Sequence, residues 1–154
     1  MEDVAGLIFV SPNYGLNSPL ARLIGWPAAR YWLPVLAGQR RSFEPGSADH
    51  ARYWTTEYPS VAVMPMDAAI RAVAGLDLSQ VKVPALFRFS HDDTVVAPDK
   101  TQEVIARWGG ATSTSHPELT PKDDPMAHVI AGAVMSPAQT EATVAVMRAW
   151  IEGL

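Results

Sequence analysis

A chain of 154 residues with 48% hydrophobic and 18% charged side chains has the balance of one globular domain, which excludes a disordered or coiled-coil protein. A net charge of −4, with no cationic cluster beyond Arg40–Arg41, excludes an electrostatic footprint for nucleic acid. The absence of cysteine excludes disulfides, thiolate metal sites and a cysteine nucleophile, and fits a reducing, cytoplasmic location.

The N-terminal MEDVAGLIFVSPNYG starts acidic, and its apolar run from Ala5 to Val10 is too short for a signal peptide. No apolar segment approaches the ~20 residues of a membrane span, so a soluble protein is expected. Residues 6–10, GLIFV, are continuously apolar and stop at SPNYG, the pattern of a strand buried on both faces and ended by a turn. The next strand signal, VPALFRFS (83–90), comes about 70 residues later, whereas a crossover between parallel strands needs only a dozen or more. The surplus predicts an inserted cap of short helices over approximately 14–66. Its SPLARLIGWPAARYWLPVLAG stretch is helix-like but broken by Pro27 and Pro34, and a helix then settles at about 67–76. The insertion is rich in aromatics: Trp26, Tyr31, Trp32, Tyr53, Trp54 and Tyr58. They form either the cap's own small core or the lining of an apolar substrate pocket, with Trp26, Trp32, Trp54 and Tyr58 the candidates for the lining.

Beyond the second strand, Pro98 and Asp99 open a helix with Val104, Ile105 and Trp108 on one face, and Gly109–Gly110 close it. A weaker strand covers Ala111 to Ser115. The last helix has Ser136 as its N-cap, Pro137 at the first helical position and Gln139 at capping-box spacing, and Val144, Met147 and Ile151 recur at helical intervals. Strand–helix–strand–helix alternation predicts an α/β fold: about three parallel strands with flanking helices and a helical cap insertion.

In such sheets, ligands and catalytic groups collect at the carboxyl ends of the strands. SHDD (90–93) occupies one such end, and the third strand leads into HPELTPKDDPMAHVIAG, where His128 stands in an apolar setting. Asp93 and His128 lie on successive strand-end loops and can meet in space. A carboxylate there would accept a hydrogen bond from one imidazole nitrogen, fix the tautomer, and stabilise the imidazolium when the other nitrogen takes a proton. Read from the residues alone, a histidine before a helix and paired aspartates on a turn also suit purely structural roles.

The string VPALFRFSHDDTVVAPDKTQEVIARWGG resembles the acid-loop segment of the α/β-hydrolase family, where a core strand ends in a G/S-x-x-D turn. On that pattern Ser90-x-x-Asp93 makes Asp93 the triad acid and Asp92 its neighbour. DDPMAHVIAG is similar to the family's histidine loop, which implies His128 as general base. SPNYG with its Pro/Trp-rich insertion resembles the sixth strand and lid of lysophospholipase-like and carboxylesterase-like members. One departure stands out. The family's nucleophile lies in G-x-S-x-G and precedes the acid, and no glycine pair here brackets a serine in that way. The resemblance is therefore to strands six to eight plus the lid, the C-terminal half, with the nucleophile-bearing half absent and Met1 read as an internal methionine. Ser11, Ser90 and Ser136 sit near strand ends or caps, and none carries the strained elbow expected of a substitute nucleophile.

The resemblance implies a serine ester hydrolase for small-molecule acyl esters, lysophospholipid-like or monoacylglycerol-like, without a cofactor and inactive in the absence of the serine. The alternative is a non-catalytic remnant serving as a binding or oligomerisation module. In either case the strand at 6–10 is expected to present an open apolar edge, for self-association or for pairing with the missing half. A metal site is the third reading, from His91, Asp92, Asp93 and His128 with His116, Asp123 and Asp124 nearby. No H-x-x-x-H or H-x-H spacing supports it, and the expectation is that no metal is bound. His50 and His116 are expected to be exposed, and Asp123 and Asp124 to form the turn before Pro125, with Asp124 or Asp123 adding some electrostatic tuning of His128.

Overall fold

The computed structural model describes residues 3–19 and 21–154. The chain divides into two compact units, Met1–Asn17 with Leu76–Leu154, and Ser18–Gly75.

The first unit is an α/β layer built on three parallel strands. Strand β1 (Leu7–Val10) comes first in the chain, but its sheet neighbour follows the whole second unit. Within that second unit lie α1 (Ala21–Ile24), α2 (Ala29–Ala37), β2 (Arg40–Ser42), α3 (Ala48–Tyr53), β3 (Glu57–Pro59) and α4 (Val63–Ala74). The first unit then resumes with β4 (Ala85–Arg88), α5 (Pro98–Arg107), β5 (Thr112–Ser115) and α6 (Thr140–Glu152). The strand order is β1-β4-β5, with Phe9 opposite Phe87 and Phe87 opposite Thr114.

The central strand explains the apolar run in the sequence, which only Arg88 interrupts. All four residues of β4 are buried, as a strand covered on both faces requires. Alternation sends Ala85, Phe87 and Phe89 to one face, where they pack with Leu78, with Val104 and Ile105 of α5, and with Trp108 just beyond it. Phe9 stacks on Phe87 at 4.8 Å between ring centroids, and Trp108 meets both rings edge-on. On the opposite face, the buried Arg88 donates from Nε to Thr143 Oγ1 on α6 (3.0 Å) and from Nη1 to Ser115 Oγ on β5 (2.6 Å). Burial pushes its guanidinium below the ordinary arginine range. The outer strand β5 is polar and largely exposed, in keeping with a sheet edge.

Two helix ends differ from their sequence signals. Helix α5 stops at Trp108, whose backbone turns extended, so Gly109 and Gly110 are not a left-handed cap. They are demanded by close approach instead. A Cβ on Gly109 would sit 1.9 Å from Ser79 O, and one on Gly110 would sit 2.6 Å from Val83 O. Ser136 does not cap α6 through its side chain, because its hydroxyl is committed elsewhere. It donates to Val129 O and accepts from the Asp124 N–H. A single 3-10 turn, Pro137–Gln139, leads into α6, and the Gln139 amide reaches Glu118 O and Asp123 Oδ2 rather than closing a capping box. Val144 and Ile151 on α6 are exposed.

In the second unit, Pro27 falls between α1 and α2, but Pro34 lies inside α2 without breaking it. One backbone hydrogen bond is lost there, and the flanking turns carry the helix on to Ala37. Strands β2 and β3 form an antiparallel pair, Arg41 opposite Tyr58, that the reading of short helices did not include. Helix α4 starts at Val63, ahead of the helix expected at about 67–76. His50 is buried rather than exposed: Nδ1 accepts the Gly46 N–H, and its ring packs between Phe43 and Trp54. Among the described residues no helix is long and apolar enough to cross a membrane.

Candidate active site

The site is made by two loops at the carboxyl end of the sheet. The first leaves β4. Ser90 Oγ accepts the Asp92 N–H at 3.1 Å and tightens the turn, after which the two aspartates part company. Asp92 faces solvent, while Asp93 is buried. Asp93 Oδ1 accepts the N–H groups of Val95 (2.8 Å) and Val96 (2.9 Å), so local backbone fixes the carboxylate in one orientation. Its backbone carbonyl accepts Asn17 Nδ2 at 3.2 Å. Residues 15–17 run alongside this loop, with Asn17 N–H donating to Val95 O and Ala97 N–H donating to Gly15 O.

The second loop carries His128 and is organised around the buried Asp124. Asp124 Oδ1 accepts the Met126 N–H (3.0 Å), and Oδ2 accepts those of His128 (3.1 Å) and Val129 (2.8 Å). Ala127, immediately before His128, is left-handed with φ 54°, a conformation that costs a residue with a Cβ roughly 1–3 kcal/mol and is held here by that cage of bonds. Thr94 staples the two loops together, donating both its N–H and its hydroxyl to Met126 O.

The loops bring Asp93 and His128 into contact. His128 Nδ1 lies 2.8 Å from Asp93 Oδ2, across 35 positions of sequence. The Asp93 side chain is 1% exposed and the His128 ring 29%, so the acid is sealed while the base is open on one side. The Asp93 hydrogen bond raises the His128 pKa above its ordinary value of 6.5; burial pulls the other way, and the charges of Asp93 and Asp124 add to the rise. With the carboxylate ionised, Nδ1 carries the donated proton and Nε2 is left with its lone pair. No hydrogen bond to Nε2 is present among the described residues. The pair is thus an oriented base whose protonated form is stabilised.

Asp124 was visible in the sequence only as a turn former, yet its carboxylate shapes the histidine loop. The available signal was spacing: its acceptors meet N–H groups two, four and five positions on. Asp123 is also more than a turn residue. Its Oδ2 accepts the Thr120 N–H and hydroxyl and the Gln139 amide, which hold its carboxyl below the usual range.

The other candidates fall elsewhere. Trp26 and Trp54 are exposed, Trp32 and Tyr58 half-buried, all within the second unit. Trp32 donates to Pro27 O, Trp54 packs on His50, and no ring contact joins the four to one another among the described residues. His91 and His116 are exposed, with ring centroids 4.1 Å apart and His116 Nδ1 bonded to Phe89 O. Among the described residues no group of three or more potential ligands converges to hold a metal ion. Ser90 and Ser136 spend their hydroxyls on the loops. Ser11 adds one feature that the sequence did not show: its φ of 42° places it in a strained left-handed turn at the end of β1, with its hydroxyl buried and without a partner among the described residues. No helix follows it directly, and it makes no hydrogen bond to His128 among the described residues.

No protein-family model matches this chain, and no curated protein matches it either.

Proposed function

We propose that the chain supplies the acid and base of a serine ester hydrolase of α/β-hydrolase type, acting on small acyl esters such as lysophospholipids or monoacylglycerols. The single observation that carries this reading is the 2.8 Å contact between a buried, backbone-anchored carboxylate and an imidazole with its far nitrogen open. Placement on two loops at the carboxyl ends of parallel strands supports it further. In this reading Asp93 orients His128, His128 Nε2 takes the proton of a serine hydroxyl as it attacks the ester carbonyl, and the imidazolium returns that proton to the leaving alcohol. The serine and its oxyanion-hole donors come from a nucleophile-bearing segment outside residues 1–154, packed beside β1. The cysteine-free composition accords with a cytoplasmic setting, and the chemistry needs no cofactor.

A second reading, a non-catalytic binding or oligomerisation module, draws on the side of β1 that pairs with no strand among the described residues and on the exposed Val10 at its end.

The test is reconstitution. The chain is joined to the N-terminal half of an α/β hydrolase, and turnover of a p-nitrophenyl ester is followed with fluorophosphonate labelling. The chain alone is expected to be unlabelled and the joined protein active, with Asp93→Asn lowering kcat by about 10⁴-fold through the wrong histidine tautomer. Activity that survives in Asp93→Asn and His128→Ala refutes the assignment. Serine labelling of the chain alone shows that it holds its own nucleophile.

A further inference from the structure

Two histidines outside the Asp93–His128 pair are brought together by the sheet. His91 lies on the turn that leaves β4, and His116 follows β5 directly. The register that sets Arg88 opposite Ser115 makes these strand ends neighbours, and the Phe89 N–H donates to Ser115 O just beyond it. The two imidazoles rest edge-on against the buried Phe89 ring, at 5.3 Å for His91 and 4.8 Å for His116 between centroids. Their own centroids are 4.1 Å apart, with the planes tilted by 35°. Both residues are exposed, and neither is in an ion pair among the described residues.

The hydrogen bonds of the two rings have the arrangement that metal ligation uses. His116 Nδ1 lies 2.9 Å from Phe89 O. A carbonyl only accepts, so Nδ1 carries the proton of the neutral ring and Nε2 keeps its lone pair for an ion. His91 Nδ1 is 3.4 Å from the Gln102 side-chain amide on α5, at the long limit of a hydrogen bond. An exposed amide turns over readily, and with Oε1 accepting from Nδ1–H the lone pair of His91 likewise falls on Nε2. Two nitrogens each about 2 Å from one ion lie about 3 Å apart. Rings with this spacing reach that separation by side-chain rotation alone, since both are open to solvent on their outer side.

We propose that His91 and His116 form a two-imidazole site for a divalent ion of the Zn²⁺ and Cu²⁺ class. Imidazole nitrogen suits these ions, whereas Mg²⁺ and Ca²⁺ take oxygen ligands. No third histidine or carboxylate converges with the pair among the described residues, so water completes the coordination and the ion is exchangeable, unlike a closed structural zinc. Once bound, the ion ties the turn after β4 to the end of β5. The inference is independent of the chemistry served by Asp93 and His128.

The experiment is isothermal titration calorimetry of the full chain, free of any histidine tag, with Cu²⁺, Zn²⁺ and Mg²⁺ in turn. One ion per chain is expected for Cu²⁺ and for Zn²⁺, with Cu²⁺ the tighter, and no binding for Mg²⁺. His91→Asn and His116→Asn are each expected to lower the affinity at least ten-fold, roughly the lower bound for disturbing a ligand, while His128→Asn leaves it unchanged. Both substituted rings are exposed, so an unchanged circular dichroism spectrum certifies these variants. Gln102→Glu is expected to tighten binding several-fold, because a carboxylate accepting from Nδ1–H makes the imidazole a stronger ligand. Free Zn²⁺ at about 100 times its dissociation constant is expected to raise Tm by roughly 5–10 °C. Absence of Zn²⁺ and Cu²⁺ binding overturns the proposal, as does binding that survives in both His91→Asn and His116→Asn. Binding lost in His128→Asn instead places the ion on the Asp93–His128 pair and overturns it too.

Discussion

Asp124→Ala removes the acceptor at the centre of the histidine loop. Three backbone N–H groups, of Met126, His128 and Val129, lose their partner at once. An unmatched buried donor costs about 1–3 kcal/mol, but Met126 is exposed and Val129 half-buried, so water can satisfy part of the debt. About 3 kcal/mol is therefore expected for the set. For a chain of this size that is a fall in Tm of roughly 6–12 °C. The local effect should exceed the global one, because Ala127 stays left-handed only while these bonds hold it, and His128 follows directly. Thermal unfolding by circular dichroism measures the first effect, and the downfield Nδ1 proton resonance of His128 the second. Asp124→Asn should cost less than the alanine variant, because its amide oxygen can keep the His128 and Val129 bonds while its nitrogen faces only the exposed Met126 N–H. A variant that melts within about 1 °C of the parent and keeps the resonance would refute the reasoning, since the loop would then be held by something other than this carboxylate.

Three further outcomes are expected. His128 has a folded pKa above its unfolded value of about 6.5, so its contribution to stability is complete below that pH and is lost as pH rises through the folded value. Denaturant titrations across this range should show that decline in the parent and its loss in His128→Gln. Gly109→Ala should destabilise by about 1–3 kcal/mol or more, because the added Cβ would meet the backbone at Ser79; an unchanged urea midpoint would contradict that contact. Arg88→Met should leave stability unchanged or raise it, because the buried guanidinium is bonded to two hydroxyls and to no carboxylate among the described residues. A loss of more than about 2 kcal/mol would reveal a counter-charge that these bonds do not account for.

The strands of the first unit were legible because their signals are local. GLIFV and VPALFRFS are apolar runs cut off by turn residues, and Pro98 marks the start of α5 in both sequence and structure. The helix start at Ser136 shows where local signals fail. Ser-Pro-x-Gln reads as a cap and capping box, but tertiary packing gives the hydroxyl to Asp124 and Val129 and the amide to Asp123 and Glu118. The pairing of β2 with β3 left no trace, since three-residue strands such as RRS and EYP are too short to show alternation. Spacing alone could not join Asp93 to His128. Topology and resemblance suggested that they meet, whereas the division of labour between buried Asp93 and exposed Asp92 emerges only from the Val95 and Val96 N–H groups. The left-handed backbone of Ser11 could not be foreseen, because backbone strain has no compositional signature.

The two borders of the three-stranded sheet are unlike one another. β1 borders it with Leu7, Ile8, Phe9 and Val10, and β5 with Thr112, Ser113, Thr114 and Ser115. On the binding-module reading proposed above, strand addition is expected at β1 and not at β5. Two copies meeting through β1 would bury both apolar borders and leave hydroxyl-lined ones outermost, with nothing further to hide. On the binding-module reading such an assembly would stop at a dimer, with the apolar borders of both copies used up.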